Sequence, residues 1–286
     1  MTGPAPLRRP AMPGASRIGR DAVRALYAEV ALHPKPGLVS PIDSGAHHDM
    51  DMRTFMRSLF ALRGYFPAIA AAGADDADFD PLRRLGIAAE RRMLAATSGV
   101  NTHRGAIFSL GLLAAAAGRL DAAGGSRRGD ALGRTVRDCW GNGILAAGTG
   151  APASHGTDAV QRFGARGVRQ EAAEGFPLLF RTAVPTLRET RVRTGDRDAA
   201  LVQTLFVLIA ALDDTNLLHR GGIEGLCFAR RQAAAFLDQG GVHDPGWRAR
   251  AVAVHRAFVA RRLSSGGAAD MLAAAWFIDR LTEGTP

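Results

Sequence analysis

Lysine is almost absent from this 286-residue chain: of 36 lysine and arginine residues, 35 are arginine and the single lysine is Lys35. A sequence that writes arginine nearly everywhere has kept one compact ammonium, which suggests a specific chemical job at that position. Cysteine is scarce too. Cys139 and Cys227 lie far apart and match no zinc spacing, which excludes a disulfide framework; they read as buried thiols of a cytoplasmic protein. Aromatic residues make up 6% and β-branched runs are few, which disfavours sheet. No run reaches the ~18 apolar residues of a membrane span. The proline-bearing start (Pro4, Pro6, Pro10, Pro13) has no apolar signal core. Missing as well are a GxxxxGK[ST] loop, a GxGxxG turn placed in a βαβ unit, a GxSxG elbow and a helical HxxxH pair. These absences set aside the P-loop, Rossmann, serine-hydrolase and zinc-hydrolase classes.

What is present is a hydrophobic content of 47%, much of it alanine, and a net charge of +9. The first favours helix. The second suggests an anionic partner, such as a nucleotide or a phosphorylated cofactor. The arginines are scattered in pairs that read as solvated helix faces, so no nucleic-acid stripe is expected. Helical periodicity is expected over 17–32, from near Asp51 to an interruption at Pro67, and over 81–97. It continues over 106–117, 131–147, from about 167, over 176–193, 198–212, 223–239, 246–262 and 268–282. The run 106–117 is apolar on every face and should be a central buried helix ended by Gly118. Between these lie a loop at 34–50, a Gly/Arg/Asp loop at 119–130, the glycine-rich 148–156, a short amphipathic piece at 157–165 and a tight turn at Gly221-Gly222. The reading is an all-α, single-domain bundle of roughly ten helices. A disordered tail over 1–16 precedes one helical catalytic domain over 17–286, with a site built from interhelical loops.

Those loops hold the chemistry. Six of eight histidines fall in them: His33, His47, His48, His103, His155 and His219. Asp49 and Asp51 stand where a loop enters a helix, and Glu171 and Glu174 share a helical face. Asp213 and Asp214 close an apolar helix, where a carboxylate meets the unfavourable end of the dipole. Oxygen clusters of this kind suit Mg²⁺. Lys35, the helix start at 101–105, Arg169 and the Arg220-Gly221-Gly222 turn are candidate phosphate contacts.

Five motifs occur in a fixed order. They are Pro34-Lys35-Pro36-Gly37-Leu38-Val39; Ser44-Gly45-Ala46-His47 with Asp49-Met50; Gly99-Val100-Asn101-Thr102-His103-Arg104-Gly105-Ala106; Gly167-Val168-Arg169-Gln170-Glu171-Ala172 with Gly175-Phe176-Pro177; and Asp214-Thr215-Asn216 with Arg220-Gly221-Gly222. Together with Gly266-Gly267 and Asp270-Met271-Leu272-Ala273 they resemble the triphosphoribosyl-dephospho-coenzyme A synthase family over about 17–282. The resemblance implies an all-helical cytoplasmic transferase that joins ATP to 3′-dephospho-coenzyme A and releases adenine. Its product would pass to an enzyme that loads the acyl carrier subunit of malonate decarboxylase or citrate lyase. The wording Ser40-Pro41-Ile42-Asp43-Ser44 resembles the malonate decarboxylase branch.

In the implied reaction the 2′-hydroxyl of dephospho-coenzyme A attacks C1′ of the ATP ribose, with oxocarbenium character at the transition state. Asp49, Glu171 and Asp214 are then expected to hold Mg²⁺. Lys35, Asn101, Arg104, Arg169, Asn216, Arg220 and Gly221 would bind the nucleotide, Lys35 facing the triphosphate. Asp49 or Glu171 is the expected base, and His47 or His103 the expected donor to the leaving adenine. The roles of Glu174 and Asp213 stay open, and a homodimer is one option for the assembly. The alternative is an all-α, Mg²⁺-dependent hydrolase of ADP-ribosyl or nucleotide linkages. A polyanion-binding module is a further alternative, but it leaves the carboxylate and histidine loops unexplained.

Overall fold

The computed structural model describes residues 13–147 and 162–282, and among them there is no strand. Among the described residues twelve α-helices follow in order: α1 (Pro13–Ala31), α2 (Met52–Leu62), α3 (Tyr65–Ala74), α4 (Phe79–Ala96), α5 (Arg104–Ala122), α6 (Ala131–Ala146), α7 (Val168–Ala173), α8 (Val184–Thr194), α9 (Arg197–Ala211), α10 (Thr215–Asp238), α11 (Trp247–Ala260) and α12 (Gly266–Thr282). A π-helical turn, Leu179–Ala183, leads into α8, and a 3₁₀ turn, Gly241–His243, precedes α11. The all-α reading holds. His155 and the glycine-rich 148–156 lie outside the described residues.

The apolar run becomes α5, buried from Ser109 through Gly118, and it is the axis of the bundle. It is also long and apolar enough to cross a membrane, but its faces are covered by α1, α3, α4, α6 and α12. The approach of α3 is close because glycines meet backbone. A Cβ on Gly73 would fall 2.0 Å from the Ala115 carbonyl oxygen, and one on Gly118 would fall 1.9 Å from that of Ala70. Tyr65, fully buried, donates its hydroxyl to the Ile107 carbonyl at 3.0 Å and fixes the register of the pair.

Several boundaries differ from the sequence reading. α1 begins at Pro13, so residues 13–16 are helical and not part of a tail. Pro67 does not interrupt a helix. The break falls at residues 63–64, and Pro67 sits in the first turn of α3, where its missing N–H costs nothing. Gly118 does not end α5, which runs on to Ala122, because that glycine serves packing. Gly221-Gly222 is a kink inside α10, made by Gly222 at φ +60°, ψ −159°, a conformation that only glycine adopts freely. His219 therefore lies on a helix. Both cysteines are exposed, not buried.

Candidate active site

The loop 33–51 is tied down along its length. His255, buried on α11, donates from Nδ1 to the Lys35 carbonyl at 2.6 Å and brings Nε2 within 3.2 Å of Asp43 Oδ2. Ser265 donates to the Pro36 carbonyl at 3.0 Å. Arg220 donates to the carbonyls of Ala46 and Arg262 at 3.0 and 3.2 Å, linking the loop to the α10 kink and to the turn before α12.

Beneath this loop the structure departs most from expectation. Lys35 is 1% exposed, and its Nζ donates to Glu29 Oε1 at 2.6 Å and to the Glu29 carbonyl at 2.7 Å. It is an internal partner of α1, not a cation on an open wall. Burial pushes its ammonium pKa down, and the Glu29 carboxylate offsets part of that fall.

Asp214 also has a different setting from the one its sequence position suggests. It ends no helix. It is the N-cap of α10, with Oδ1 accepting the N–H groups of Asn216 (2.8 Å) and Leu217 (3.3 Å). Its Oδ2 accepts the Ala268 N–H at 2.9 Å, so the same carboxylate caps α12. Two helix dipoles point their positive ends at it, which is the favourable arrangement. Burial still raises its pKa, against the pull of those N–H groups.

A third helix start joins the group. Asp270, on α12, accepts the Ala106 N–H at the beginning of α5 and lies against Gly105, where a Cβ would fall 2.1 Å from Asp270 Oδ2. Burial and the nearby carboxylates of Glu29 and Asp214 hold its pKa well above the usual range. His103, the residue that opens α5, is 2% exposed. Its Nδ1 lies 2.7 Å from Ser58 Oγ, while Nε2 has no hydrogen-bond partner among the described residues. Burial, reinforced by the Lys35 charge, pushes its pKa down to about 3.

The rim above is built around His47. Arg220 Nη2 lies 3.0 Å from its Nδ1 and Ser264 Oγ 2.9 Å from its Nε2. A guanidinium can only donate, so Nδ1 accepts and the ring proton sits on Nε2, shared with Ser264. Burial and Arg220 lower its pKa to about 4. Asp49, exposed, approaches its Nδ1 to 3.8 Å. At neutral pH both His47 and His103 are uncharged, so neither supplies an imidazolium as acid to a leaving group.

Glu171 and Glu174 part company. Glu171 is buried in α7, where Oε1 accepts the Leu178 N–H at 2.6 Å and burial raises its pKa. Glu174 is exposed and bonded to Arg166 and Gln170. Asp213 accepts the Arg166 N–H at 3.0 Å and a guanidinium N–H of Arg230 at 2.6 Å, which joins this segment to the start of α10. The remaining candidates have other partners. Arg104 pairs with Glu90, Asn101 Oδ1 accepts the Arg104 N–H at 3.1 Å, and Arg169 feels the like charge of Arg83. Asn216 lies beside Gly266, and Gly221 packs on Leu263.

Among the described residues, no three His, Cys, Asp or Glu side chains gather as a metal-ligand set. Asp49, Glu171 and Asp214 therefore do not assemble into a protein site for Mg²⁺. Asp214 spends its oxygens on backbone N–H groups and Asp49 lies out on the rim. The residues that sequence reading missed are Glu29, Asp270, Ser264 and His255. Only Asp270 carried a signal, as part of the Gly266-Gly267 motif.

An all-α enzyme whose polar centre lies where three helix starts converge is the class that this fold and site define. The chain belongs to the ATP:dephospho-CoA triphosphoribosyl transferase family, whose model matches residues 15–286, and it is a transferase. It is 40% identical over 294 residues to the 2-(5′′-triphosphoribosyl)-3′-dephosphocoenzyme-A synthase of Klebsiella pneumoniae, covering 99% of this chain and 97% of that one. It is 39% identical over 264 residues to the probable synthase of the same name from Acinetobacter calcoaceticus, covering 92% and 90%. No solved structure matches the chain.

Proposed function

We propose that the protein joins ATP to 3′-dephospho-CoA, giving 2′-(5-triphosphoribosyl)-3′-dephospho-CoA and adenine, with Mg²⁺ entering as the companion of ATP. The observation that carries this reading is the family match across nearly the whole chain. The site agrees with it in kind. Arg220 and the rim around His47 offer donors for phosphate oxygens. The buried Glu171 carboxyl, with its raised pKa, suits a base for the 2′-hydroxyl. The neutral histidines suit hydrogen bonding to a ribose or a base.

We assign the product to the malonate decarboxylase system in preference to the citrate lyase system, on the Ser40-Pro41-Ile42-Asp43-Ser44 wording. In that reading it passes to an enzyme that loads an acyl carrier subunit in the cytoplasm.

Mass spectrometry of a reaction with ATP, Mg²⁺ and dephospho-CoA tests the first part. One adenine and one triphosphoribosylated coenzyme per turnover are expected. Adenine released from ATP alone, without an adduct, would make the protein a hydrolase instead. The branch is tested by offering the product to the loading enzymes of both systems.

A further inference from the structure

The reaction leaves adenine as a poor leaving group unless it is protonated, and the two histidines beside the site are uncharged at neutral pH. A proton donor must come from elsewhere. Near the starts of α5, α10 and α12, Asp270 has two carboxylate neighbours, Glu29 from the last turn of α1 and Asp214, and the three are compensated unequally. Glu29 has the Lys35 ammonium at 2.6 Å. Asp214 has the N–H groups of Asn216, Leu217 and Ala268. Asp270 has only the Ala106 N–H, with Glu29 and Asp214 both acting on it as like charges. When carboxyls crowd together, the one with least compensation keeps the proton. His103 points to a ligand at the same place. It opens α5, two residues before the glycine that Asp270 touches, and its ring is buried with Nε2 unpartnered and turned away from Ser58. A buried ring nitrogen without a partner is costly unless a bound group completes it.

We propose that Asp270 is the general acid of the transfer, giving its carboxyl proton to a ring nitrogen of adenine as the C1′–N9 bond breaks, with His103 Nε2 hydrogen-bonding the same base. The C1′–N9 electron pair leaves with adenine, which is neutralised by the Asp270 proton. The 2′-oxygen of dephospho-CoA forms the new bond to C1′, and its proton goes to the basic carboxylate. After adenine departs, solvent returns one proton to Asp270 and takes one from the basic carboxylate, which restores both groups with no net change. Gly105 belongs to the device, since any side chain there would displace the Asp270 carboxyl.

This assignment rests on the proposed reaction, and the test separates the two. Asp270→Asn keeps an acceptor for the Ala106 N–H but has no acidic proton. With ATP, its kcat should fall by a factor on the order of 10² to 10⁴. With N7-methylated ATP, whose base leaves without being protonated, the variant should stay within about threefold of the wild type. Equal losses on both nucleotides would overturn the acid role and make Asp270 structural. If Asp270→Asn does not fold, by circular dichroism, Gly105→Ala replaces it: the same leaving-group dependence supports the role, and equal losses overturn it. A wild-type enzyme that releases neither adenine from ATP nor 7-methyladenine from the methylated nucleotide overturns the proposed reaction itself, and this role with it.

Discussion

Lys35 Nζ and Glu29 Oε1 stand 2.6 Å apart inside the bundle, six residues apart in sequence, each almost without solvent contact. Removing one partner of such a pair leaves an uncompensated buried charge, which costs far more than the pair contributes. Lys35→Met should therefore destabilise the fold by about 3–5 kcal/mol. Replacing Glu29 by Gln in the same chain should recover much of that loss. Urea unfolding of both single variants and the double variant measures the coupling. Independent, additive losses would show that the pair is not the source.

Stability should also fall in mild acid. His47 and His103 have native pKa values of about 4 and about 3 against an ordinary 6.5. The unfolded chain then binds protons that the folded chain refuses. Their contribution is fully present above pH ~6.5 and is lost as pH falls toward 4 and then 3. Thermal melts across this range should show the decline, and His103→Gln should flatten its lower part. A Tm that is flat from pH 7 to 4 would contradict the burial of both rings.

Glu171 should behave as a base held back by burial. It acts when ionised, and burial raises its pKa, so the acid side of the rate profile should climb with pH through that raised value. Glu171→Gln should lower kcat at least about a hundredfold and remove the climb. A variant with an unchanged profile would take Glu171 out of the chemistry.

The α3–α5 contact predicts a packing defect far from the site. Gly73→Ala places a methyl 2.0 Å from the Ala115 oxygen, so the two helices must separate. Overpacking of this sort costs about 1–3 kcal/mol. Denaturant titration should show the loss, and ATP binding should be unchanged in the folded fraction.

What the sequence made legible follows its periods. α5 and the apolar helices around it were readable because their burial repeats locally, at 3.6 residues or on every face. The loops at 33–51 and 99–105 were readable because glycine, proline and histidine gather there. The partners were not. Glu29 looks like one more polar residue near the end of an amphipathic helix, and nothing local joins it to Lys35 or Asp270. Asp214 read as an unfavourable helix end because the chain before it is apolar; the helix it serves comes after it, and another begins 52 residues later at Gly266. His255 sits in an ordinary helix, and only the fold sets it beneath Lys35. A convergence of three helix starts is a property of tertiary packing, which no spacing rule encodes.

Asp214 and Asp270 also set a schedule for the growing chain. The start of α5 finds its carboxylate, and the Asp214 cap its second helix, only once α12 has been made. Arg280 closes the ring onto Asp21 of α1 at 2.9 Å. A chain emerging from its N-terminus can wind its helices as it goes, but it holds an unfinished polar centre until Gly266–Thr282 is available. Fragments that stop short of α12 should therefore stay open, and the enzyme should reach its native form in one late step rather than segment by segment.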